Sequence, residues 1–218
     1  MPKKLALIHT SPSLTPLFAG LCATWLPDVT IFHMVDESLI KNTVAAGYLE
    51  KVTMRRVIAM VESAGLAGAD AVLVTCSSIG EATTMAAKLF DFPVVRVDDA
   101  MAEKAVGMGR RVGVLATLRT TLEPTTRLVR SKAGGNGVTV VDHLCEGAFE
   151  AVMAGDGATH DAIVGAALLE MQHQVDVVVL AQASMARVVA TVGALRVPVL
   201  SSPELAVQRV ADLMQAQG

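Results

Sequence analysis

The sequence predicts an α/β protein built from two similar halves, each with a four-stranded, mainly parallel sheet flanked by helices. Short, Val-rich apolar runs alternate with longer Ala-, Leu- and Met-rich stretches of helical period. The pattern of the first half then returns about 106 residues later, which is typical of an internal duplication. We therefore expect two copies of one structural plan.

Eight apolar runs are expected to form the strands. Most lack a polar residue at alternate positions, which favours strands buried on both faces and therefore parallel sheets covered by helices. The predicted strands are residues 4–9, 29–34, 70–75, 93–97, 111–116, 137–142, 175–181 and 197–201. Each half of the chain supplies four of them.

Helices are expected in the intervals between these strands. One interval carries apolar residues at helical spacing: Met54, Val57, Ile58, Val61 and Ala64. Residues that favour helix starts precede several such stretches, and these are Ser13, Ser78, Asp99 and Ser202 as N-caps, with Pro203 at a first helical position. The segment Gly134-Gly135-Asn136-Gly137 predicts a turn or flexible loop.

Three pairs of segments carry the duplication. They are Leu7-Ile8-His9-Thr10 with Val114-Leu115-Ala116-Thr117, Asp70 to Ser77 with Asp176 to Ala183, and Pro93-Val94-Val95 with Pro198-Val199-Leu200. The helix after Pro93-Val94-Val95 is expected to carry the chain into the second half, and the helix after Pro198 to return it. The predicted domains are residues 1–98 plus 203–218, and residues 99–202.

Composition excludes several functional classes. A net charge of -3 with no basic run, and an aromatic content of 3%, argue against a nucleic-acid-binding surface. Three cysteines at irregular spacing favour a reducing compartment over a disulfide framework. Lys3 and Lys4 precede an apolar run that His9 ends too early for a signal peptide, and no other run approaches a membrane span. We expect a cytoplasmic protein that does not act at a membrane.

Ligands of open parallel sheets bind beyond the carboxyl ends of the strands. This rule selects two matched pairs of loops: Thr10-Ser11-Pro12 with residues 117–121, and Cys76-Ser77-Ser78 with Gln182-Ala183-Ser184. If a pseudo-twofold axis relates the halves, the four loops converge on one cleft. Helix N-termini with Ser and Thr hydroxyls favour an anion such as a carboxylate. A thiol at such a terminus has its pKa lowered from about 8.5 toward neutrality, so Cys76 is a candidate acid or base.

The two half-repeats, with Val74-Thr75-Cys76-Ser77-Ser78 after a strand, resemble the aspartate/glutamate/hydantoin racemase superfamily, which includes maleate isomerases and arylmalonate decarboxylases. The resemblance implies two Rossmann-like halves and, for the racemases, one catalytic cysteine from each half. The first cysteine maps onto Cys76, and Ser77 and Ser78 fall where substrate-carboxylate ligands stand. The second maps onto Gln182, with Ala183 and Ser184 where Thr-His or Thr-Glu often follows.

Gln182 departs from the racemase pattern, because an amide does not exchange a proton near neutral pH. Arylmalonate decarboxylases resemble the mirror image of this arrangement, since they keep only the second-half cysteine. The sequence is therefore compatible with decarboxylation, with isomerisation through an enediolate, or with a racemase whose second acid/base is Ser184 or a residue elsewhere.

We expect a cofactor-independent enzyme without a metal, acting by proton transfer at the carbon next to the carboxylate of a small acid. Cys76 is the expected acid/base, and Gln182 is expected to orient the substrate or stabilise its enolate. The expected substrate-binding residues are Thr10, Ser11, Ser77, Ser78, Thr117, Thr120, Thr121, Ala183 and Ser184. The alternatives are a single-cysteine decarboxylase and a small-carboxylate-binding protein without catalysis. A homo-oligomer, by default a dimer, is expected.

The remaining reactive residues have simpler interpretations. Cys22 and Cys145 lie in apolar stretches and are expected in the core. His9 follows a buried strand and is either a hydrogen-bonded structural histidine or a site residue.

Two histidines stand beside aspartates, and the pairs are Asp142-His143 and His160-Asp161. Neighbouring side chains on a strand or helix usually point apart, so neither pair is expected to interact. Arg55-Arg56 is expected to form a solvated helix face, with Asp36 and Glu37 at the rim of the site.

Overall fold

A computed structural model describes residues 2–216 of the chain. The chain divides into two compact units. The first extends to Asp99 and resumes at Pro203, and the second is Ala100–Ser202.

All strand pairs within the two sheets are parallel, and each sheet has four strands. The first sheet contains β1 (Lys4–His9), β2 (Thr30–Val35), β3 (Ala71–Val74) and β4 (Val94–Arg96). The second contains β5 (Arg111–Ala116), β6 (Thr139–Leu144), β7 (Val177–Leu180) and β8 (Val199–Ser201). The spatial orders are β2-β1-β3-β4 and β6-β5-β7-β8, so the two sheets have one topology. The predicted fold class is confirmed.

Helices connect the strands and cover the sheets. They are α1 (Thr15–Trp25), α2 (Glu37–Ala46), α3 (Lys51–Leu66), α4 (Gly80–Ala86), α5 (Asp99–Met108), α6 (Arg119–Ala133), α7 (Ala148–Met153), α8 (Gly157–Met171) and α9 (Ser202–Ala216). Three further segments are 3-10 helices: Pro12–Leu14, Ser77–Ile79 and Ala183–Ala190. Within residues 2–216, no helix is long and apolar enough to cross a membrane.

The first sheet is buried on both faces, as its uninterrupted apolar strands predict. Leu5 and Leu7 point to one face and pack with Phe18 of α1 and Val207 of α9. Ala6 and Ile8 point to the other, where the predicted helical residues Val57, Val61 and Ala64 of α3 cover them. Alternation along β1 therefore supplies both cores of this unit.

The helix starts differ from the prediction at all four expected N-caps. Asp99 and Ser202 are the first residues of α5 and α9, which puts Pro203 at the second helical position. At the other two sites, 3-10 turns account for the difference. Ser13 donates its N–H to the Ser11 side chain, so Ser11 rather than Ser13 is the cap. Ser78 lies inside the Ser77–Ile79 turn, whose N-cap position is Cys76. In both places a 3-10 turn comes before the α-helix, which moves the cap toward the strand. The predicted turn after α6 is confirmed, with Gly134 in the left-handed region at φ 55°.

One aspartate ties the third strand to the start of the first strand in each sheet. Asp70 Oδ2 accepts the Lys4 N–H at 2.7 Å. Asp176 Oδ2 accepts the N–H groups of Arg110 and Arg111, both at 2.8 Å. The duplicated units therefore share a contact at the amino ends of their sheets.

Candidate functional site

Thr10 and Cys76 come together at the carboxyl edge of the first sheet. The β1–β3 ladder pairs Ile8 with Val74, and each candidate lies two residues beyond its member of that pair. Cys76 packs against the same core as Ile8 and Val74. The Thr10 hydroxyl hydrogen-bonds the Cys76 sulfur. The fold thus positions a hydroxyl beside the candidate acid/base, as the loop rule predicts.

Burial raises the pKa of the Cys76 thiol above its usual value. Hydrogen bonds from Thr10, from the Ser78 N–H and hydroxyl, and from the Ile79 N–H act in the opposite direction without cancelling it. The expectation of a pKa lowered toward neutrality is therefore wrong. Removing the thiolate from water outweighs the donors of one short turn.

Cys76 is nevertheless the most accessible of the three thiols. It is partly exposed, whereas Cys22 and Cys145 are each only 1% exposed. Burial raises the pKa of each of these two to about 11. Their expected place in the core is confirmed by this burial.

The other predicted residues of the first unit divide into two groups. Ser77 and Ser78 are buried directly after Cys76, in the turn that leads into α4. Ser11 instead turns toward its own 3-10 turn, where its hydroxyl lies 2.8 Å from that of Ser13. Thr10 and Ser78 therefore bond the thiol and Ser77 adjoins it in the chain, while Ser11 caps a neighbouring turn.

Thr117 and Gln182 form the equivalent contact in the second unit. The β5–β7 ladder pairs Leu115 with Leu180, and Thr117 and Gln182 again lie two residues beyond the pair. Gln182 Oε1 accepts the Thr117 N–H at 2.6 Å and the Thr117 hydroxyl at 3.0 Å. Because a backbone N–H only donates, the amide atom that faces it is the oxygen. The Gln182 amide nitrogen has no hydrogen-bond partner among residues 2–216.

The remaining candidates of the second unit also lie at the carboxyl edge. Thr120 and Thr121 are buried in the first turn of α6. The Thr120 hydroxyl has no hydrogen-bond partner within the described chain. Ala183 and Ser184 are partly buried at the start of the Ala183–Ala190 segment. These residues supply hydrogen-bond donors and no group that titrates near neutral pH.

Three side chains that the sequence did not connect form a hydrogen-bonded row beside the Thr10–Cys76 pair. His9 Nδ1 lies 2.8 Å from Thr75 Oγ1, and His9 Nε2 lies 2.9 Å from His33 Nδ1. Burial, with a smaller effect of His33, lowers the pKa of His9 to about 4. His9 is therefore neutral at physiological pH. Only the strand register, which pairs β1 with both β2 and β3, brings these residues together.

A second feature that sequence reasoning missed supports the Cys76 loop from β4. The Arg96 guanidinium donates to both oxygens of the buried Asp98, at 3.0 and 2.9 Å, and to Thr84 at 3.2 Å. It also lies against Gly80, where an added Cβ would come within 2.5 Å of the guanidinium carbon. No motif in the sequence indicates this contact.

The expectation that His160 and Asp161 point apart is wrong. His160 is fully buried in the first turn of α8, and its Nδ1 lies 2.7 Å from Asp161 Oδ1. Arg187 donates to the same carboxylate at 2.9 Å. Because Asp161 turns toward Arg187, its carboxylate comes within reach of the imidazole. His143, by contrast, is exposed on β6.

Arg55 is exposed, as expected for a solvated helix face, and the Arg56 side chain is 42% exposed but also has partners. Its guanidinium forms an ion pair with Asp36 and donates to the Ser38 hydroxyl at 2.7 Å. Asp36 in turn caps α2 through the Ser38 N–H.

Within residues 2–216, no group of three or more His, Cys, Asp or Glu side chains is arranged to hold a metal ion.

The model of the Asp/Glu/hydantoin racemase family matches residues 7–210. The chain therefore belongs to this family, as its resemblance to the superfamily implied. A comparison with curated protein sequences finds no match.

Solved structures of several racemases have the same fold at low sequence identity. A glutamate racemase isoform from Bacillus anthracis superposes with a TM-score of 0.75 at 19% identity, over 99% of this chain and 83% of that one. Allantoin racemase from Klebsiella pneumoniae gives 0.73 at 16% identity, over 99% and 89%. An aspartate racemase homologue from Pyrococcus horikoshii OT3 gives 0.72 at 16% identity, over 99% and 100%.

Proposed function

We propose that the chain is a cofactor-independent enzyme that transfers a proton at the carbon next to the carboxylate of a small acid, with Cys76 as its single catalytic cysteine. Membership of the racemase family supports chemistry of this type. Two of the three similar structures are named for glutamate and aspartate, which supports a small carboxylate as the substrate.

The observation that carries the proposal is the unequal pair of equivalent contacts. Thr10 bonds a thiol in the first unit, and Thr117 bonds an amide in the second. Of the two equivalent residues, only Cys76 exchanges a proton near neutral pH. Gln182 has its amide oxygen occupied by Thr117, which leaves two N–H donors to stabilise the negative charge of an enolate.

The raised pKa of Cys76 favours one direction of proton transfer. A thiol that is protonated at neutral pH acts as an acid toward a carbanion or enolate. After the transfer, the donors from Thr10, Ser78 and Ile79 stabilise the thiolate.

This direction favours decarboxylation as the second candidate reaction. In that reaction the bond to a carboxylate breaks, carbon dioxide leaves, and the electron pair stays on the substrate as an enolate. Cys76 then gives its proton to the enolate carbon and recovers one from water.

The substrate carboxylate is proposed to bind the hydroxyls and N–H groups that follow the strands. The proposed ligands are Thr10, Ser11, Ser77 and Ser78 in the first unit and Thr117, Thr120, Thr121, Ala183 and Ser184 in the second. The unpartnered hydroxyl of Thr120 supports this role, because a buried hydroxyl without a partner is destabilising until a ligand bonds it.

A screen of small mono- and dicarboxylates in deuterated water, read by NMR, tests the proposal. Exchange at the α-carbon, isomerisation and loss of carbon dioxide each give a distinct spectrum. We expect one of them with the parent and a loss of roughly 10²-fold to 10⁴-fold in turnover for Cys76→Ala. Cys22→Ala is the matched control and should retain turnover. Equal turnover by Cys76→Ala and the parent, or carboxylate binding without any reaction, would contradict the proposal.

A further inference from the structure

We propose that His9 is a positioning residue that, held between His33 and Thr75, sets the geometry of the Thr10–Cys76 pair on the opposite face of the first sheet. The inference rests on the proposed function, because it gives His9 a role in positioning Cys76. His9 is one residue from Thr10, and Thr75 is one residue from Cys76.

The hydrogen bonds of this row have one consistent direction. The Thr75 hydroxyl donates its only proton to the Ile8 carbonyl at 3.1 Å. In this arrangement it accepts the bond from His9, and Nδ1 of His9 carries the proton. The Nε2 lone pair of His9 then accepts from Nδ1–H of His33. In this arrangement both imidazoles carry their proton on Nδ1.

The row lies one residue beyond the last pair between β1 and β3. The Thr75 N–H donates to the Ile8 carbonyl at 2.9 Å, and His9 and Thr75 each directly follow a member of the last pair of the ladder, Ile8 and Val74. Successive residues of a strand point to opposite faces. A clamp between His9 and Thr75 therefore fixes the separation of Thr10 and Cys76, which follow on the other face.

His9 is surrounded so that its imidazole stays neutral. It is fully buried, and its ring lies 5.7 Å from that of Phe18 on α1. His33 on β2 is the titratable group that it contacts, and burial lowers the pKa of His33 as well. Asp36 donates its N–H to the His9 carbonyl at 3.0 Å but directs its carboxylate to Ser38 and Arg56. On these elements, therefore, no carboxylate faces His9 to favour its charged form.

The second unit has no counterpart of this clamp. Ala116 and Ala181 occupy the positions that correspond to His9 and Thr75, and methyl side chains form no hydrogen bond. There, Gln182 itself holds Thr117. The clamp thus accompanies the thiol and is missing where the equivalent residue makes its own contact.

The test measures the iodoacetamide labelling rate of Cys76 against pH by peptide mapping. His9→Leu removes the clamp, and His9→Asn keeps an N–H donor near the position of Nδ1. Phe18→Leu is the matched control, because it perturbs the packing of the same ring without removing a hydrogen bond. Thermal unfolding of each variant is measured in parallel.

We expect His9→Leu to change the labelling rate about 10-fold and to shift its pH midpoint, because the Thr10 donor leaves the sulfur. His9→Asn should restore the parent profile. Phe18→Leu should lower the thermal stability without moving the pH midpoint of labelling. An unchanged profile for His9→Leu, or an equal shift for Phe18→Leu, would overturn the inference.

His33→Leu keeps the test decisive if His9→Leu does not fold, because His33 is only partly buried. It removes the outer member of the row and should move the midpoint in the same direction by a smaller amount. No shift in this variant would also overturn the inference. Labelling requires no substrate, so its result is independent of the turnover assay. The turnover assay alone tests the proposed function.

Discussion

Cys76 combines a raised pKa with a sulfur surrounded by hydrogen-bond donors. In the proposed reaction, burial disfavours the thiolate before the proton transfer, and the donors favour it afterwards. Such a group releases its proton when a basic carbon is brought against it, and does not remain ionised in its absence. The residue is therefore better suited to complete a reaction by protonation than to begin one as a resident base.

Labelling should distinguish the three thiols. Cys76 should react with iodoacetamide before Cys22 and Cys145, because only Cys76 is partly exposed. Its rate should still be rising at pH values above about 8.5, because burial raises its pKa. A time course read by peptide mapping measures both quantities. Earlier labelling of Cys22 or Cys145, or a rate that is already maximal at neutral pH, would contradict this account.

Replacing Gln182 with cysteine should add a second proton carrier. In the parent, deuterium from solvent should enter one face of the substrate carbon, since Gln182 only holds charge. Gln182→Cys should gain measurable racemisation of a product that the parent leaves as one enantiomer, as chiral chromatography would show. Gln182→Asn, which keeps an amide, is the control and should not gain it. Racemic product from the parent enzyme would rule out one-sided transfer.

At the scale of elements, the sequence predicts the strands well because burial controls their composition. β3 and β7 are fully buried four-residue strands, and their uninterrupted apolar runs identify them. The loop rule likewise predicts that Thr10 and Cys76 lie at one edge. The row through His9 could not be predicted, because alternation gives the face of a strand but not its neighbour in the sheet. The direction of the Cys76 pKa shift was also beyond the sequence, since it depends on the depth of burial.

The contact of Arg96 with Gly80 predicts a specific intolerance at the start of α4. Gly80→Ala would place a Cβ within 2.5 Å of the guanidinium and displace it from Asp98, which is fully buried. We expect a loss of about 1–3 kcal/mol in the free energy of unfolding, measured with urea. Gly20→Ala is the matched control on α1, where nothing lies within 4 Å of the added Cβ. It should stabilise by up to about 1 kcal/mol. Equal stability of the two variants would contradict this role of Arg96.

Because His9 is buried where β1 pairs with β2, the free energy of unfolding should depend on pH. The pKa of His9 is about 4 in the folded chain, against an ordinary value of 6.5, so the unfolded state binds a proton more readily. The neutral His9 side chain contributes fully to the free energy of unfolding above pH 6.5, and this contribution is lost as the pH falls through about 4. Urea unfolding at several pH values measures the loss, which should be about 1–3 kcal/mol.

His9→Asn provides the control for this pH dependence, because asparagine does not titrate. Its stability should fall less steeply than that of the parent between pH 6.5 and about 4. Identical slopes for the two proteins would show that other groups cause the acid sensitivity.

At the scale of the whole molecule, the duplication survives in topology and in the contacts at both ends of the sheets. The strand orders match, an aspartate ties each third strand to the first, and a threonine bonds the residue that lies two positions after each third strand. The units differ in the chemistry of the residues at the carboxyl edge. The shared architecture is therefore kept by packing and backbone contacts, while the reactive positions have diverged.

Matched substitutions should test how far the two units are equivalent. Asp70→Ala and Asp176→Ala should each lower the free energy of unfolding, because each removes a tie between two strands. Asp176 accepts two N–H bonds and Asp70 one, at about 0.5–1.5 kcal/mol each, so Asp176→Ala should have the larger effect. Guanidinium titrations of both variants measure the difference. A larger effect at Asp70 would contradict equivalence of the two ties.

The bond between Gln182 and Thr117 has a consequence for how such a chain evolves. Any residue that replaces Gln182 must also replace the acceptor of the Thr117 N–H, or leave that group unpaired at about 1–3 kcal/mol. A single mutation that gains a thiol at this position therefore also lowers the free energy of unfolding. Cys76 likewise accepts backbone N–H groups, those of Ser78 and Ile79, so its replacement also leaves donors without this acceptor. In each unit, the residue at the carboxyl edge is therefore bonded to the backbone beside it, so that its chemistry and the local stability change together.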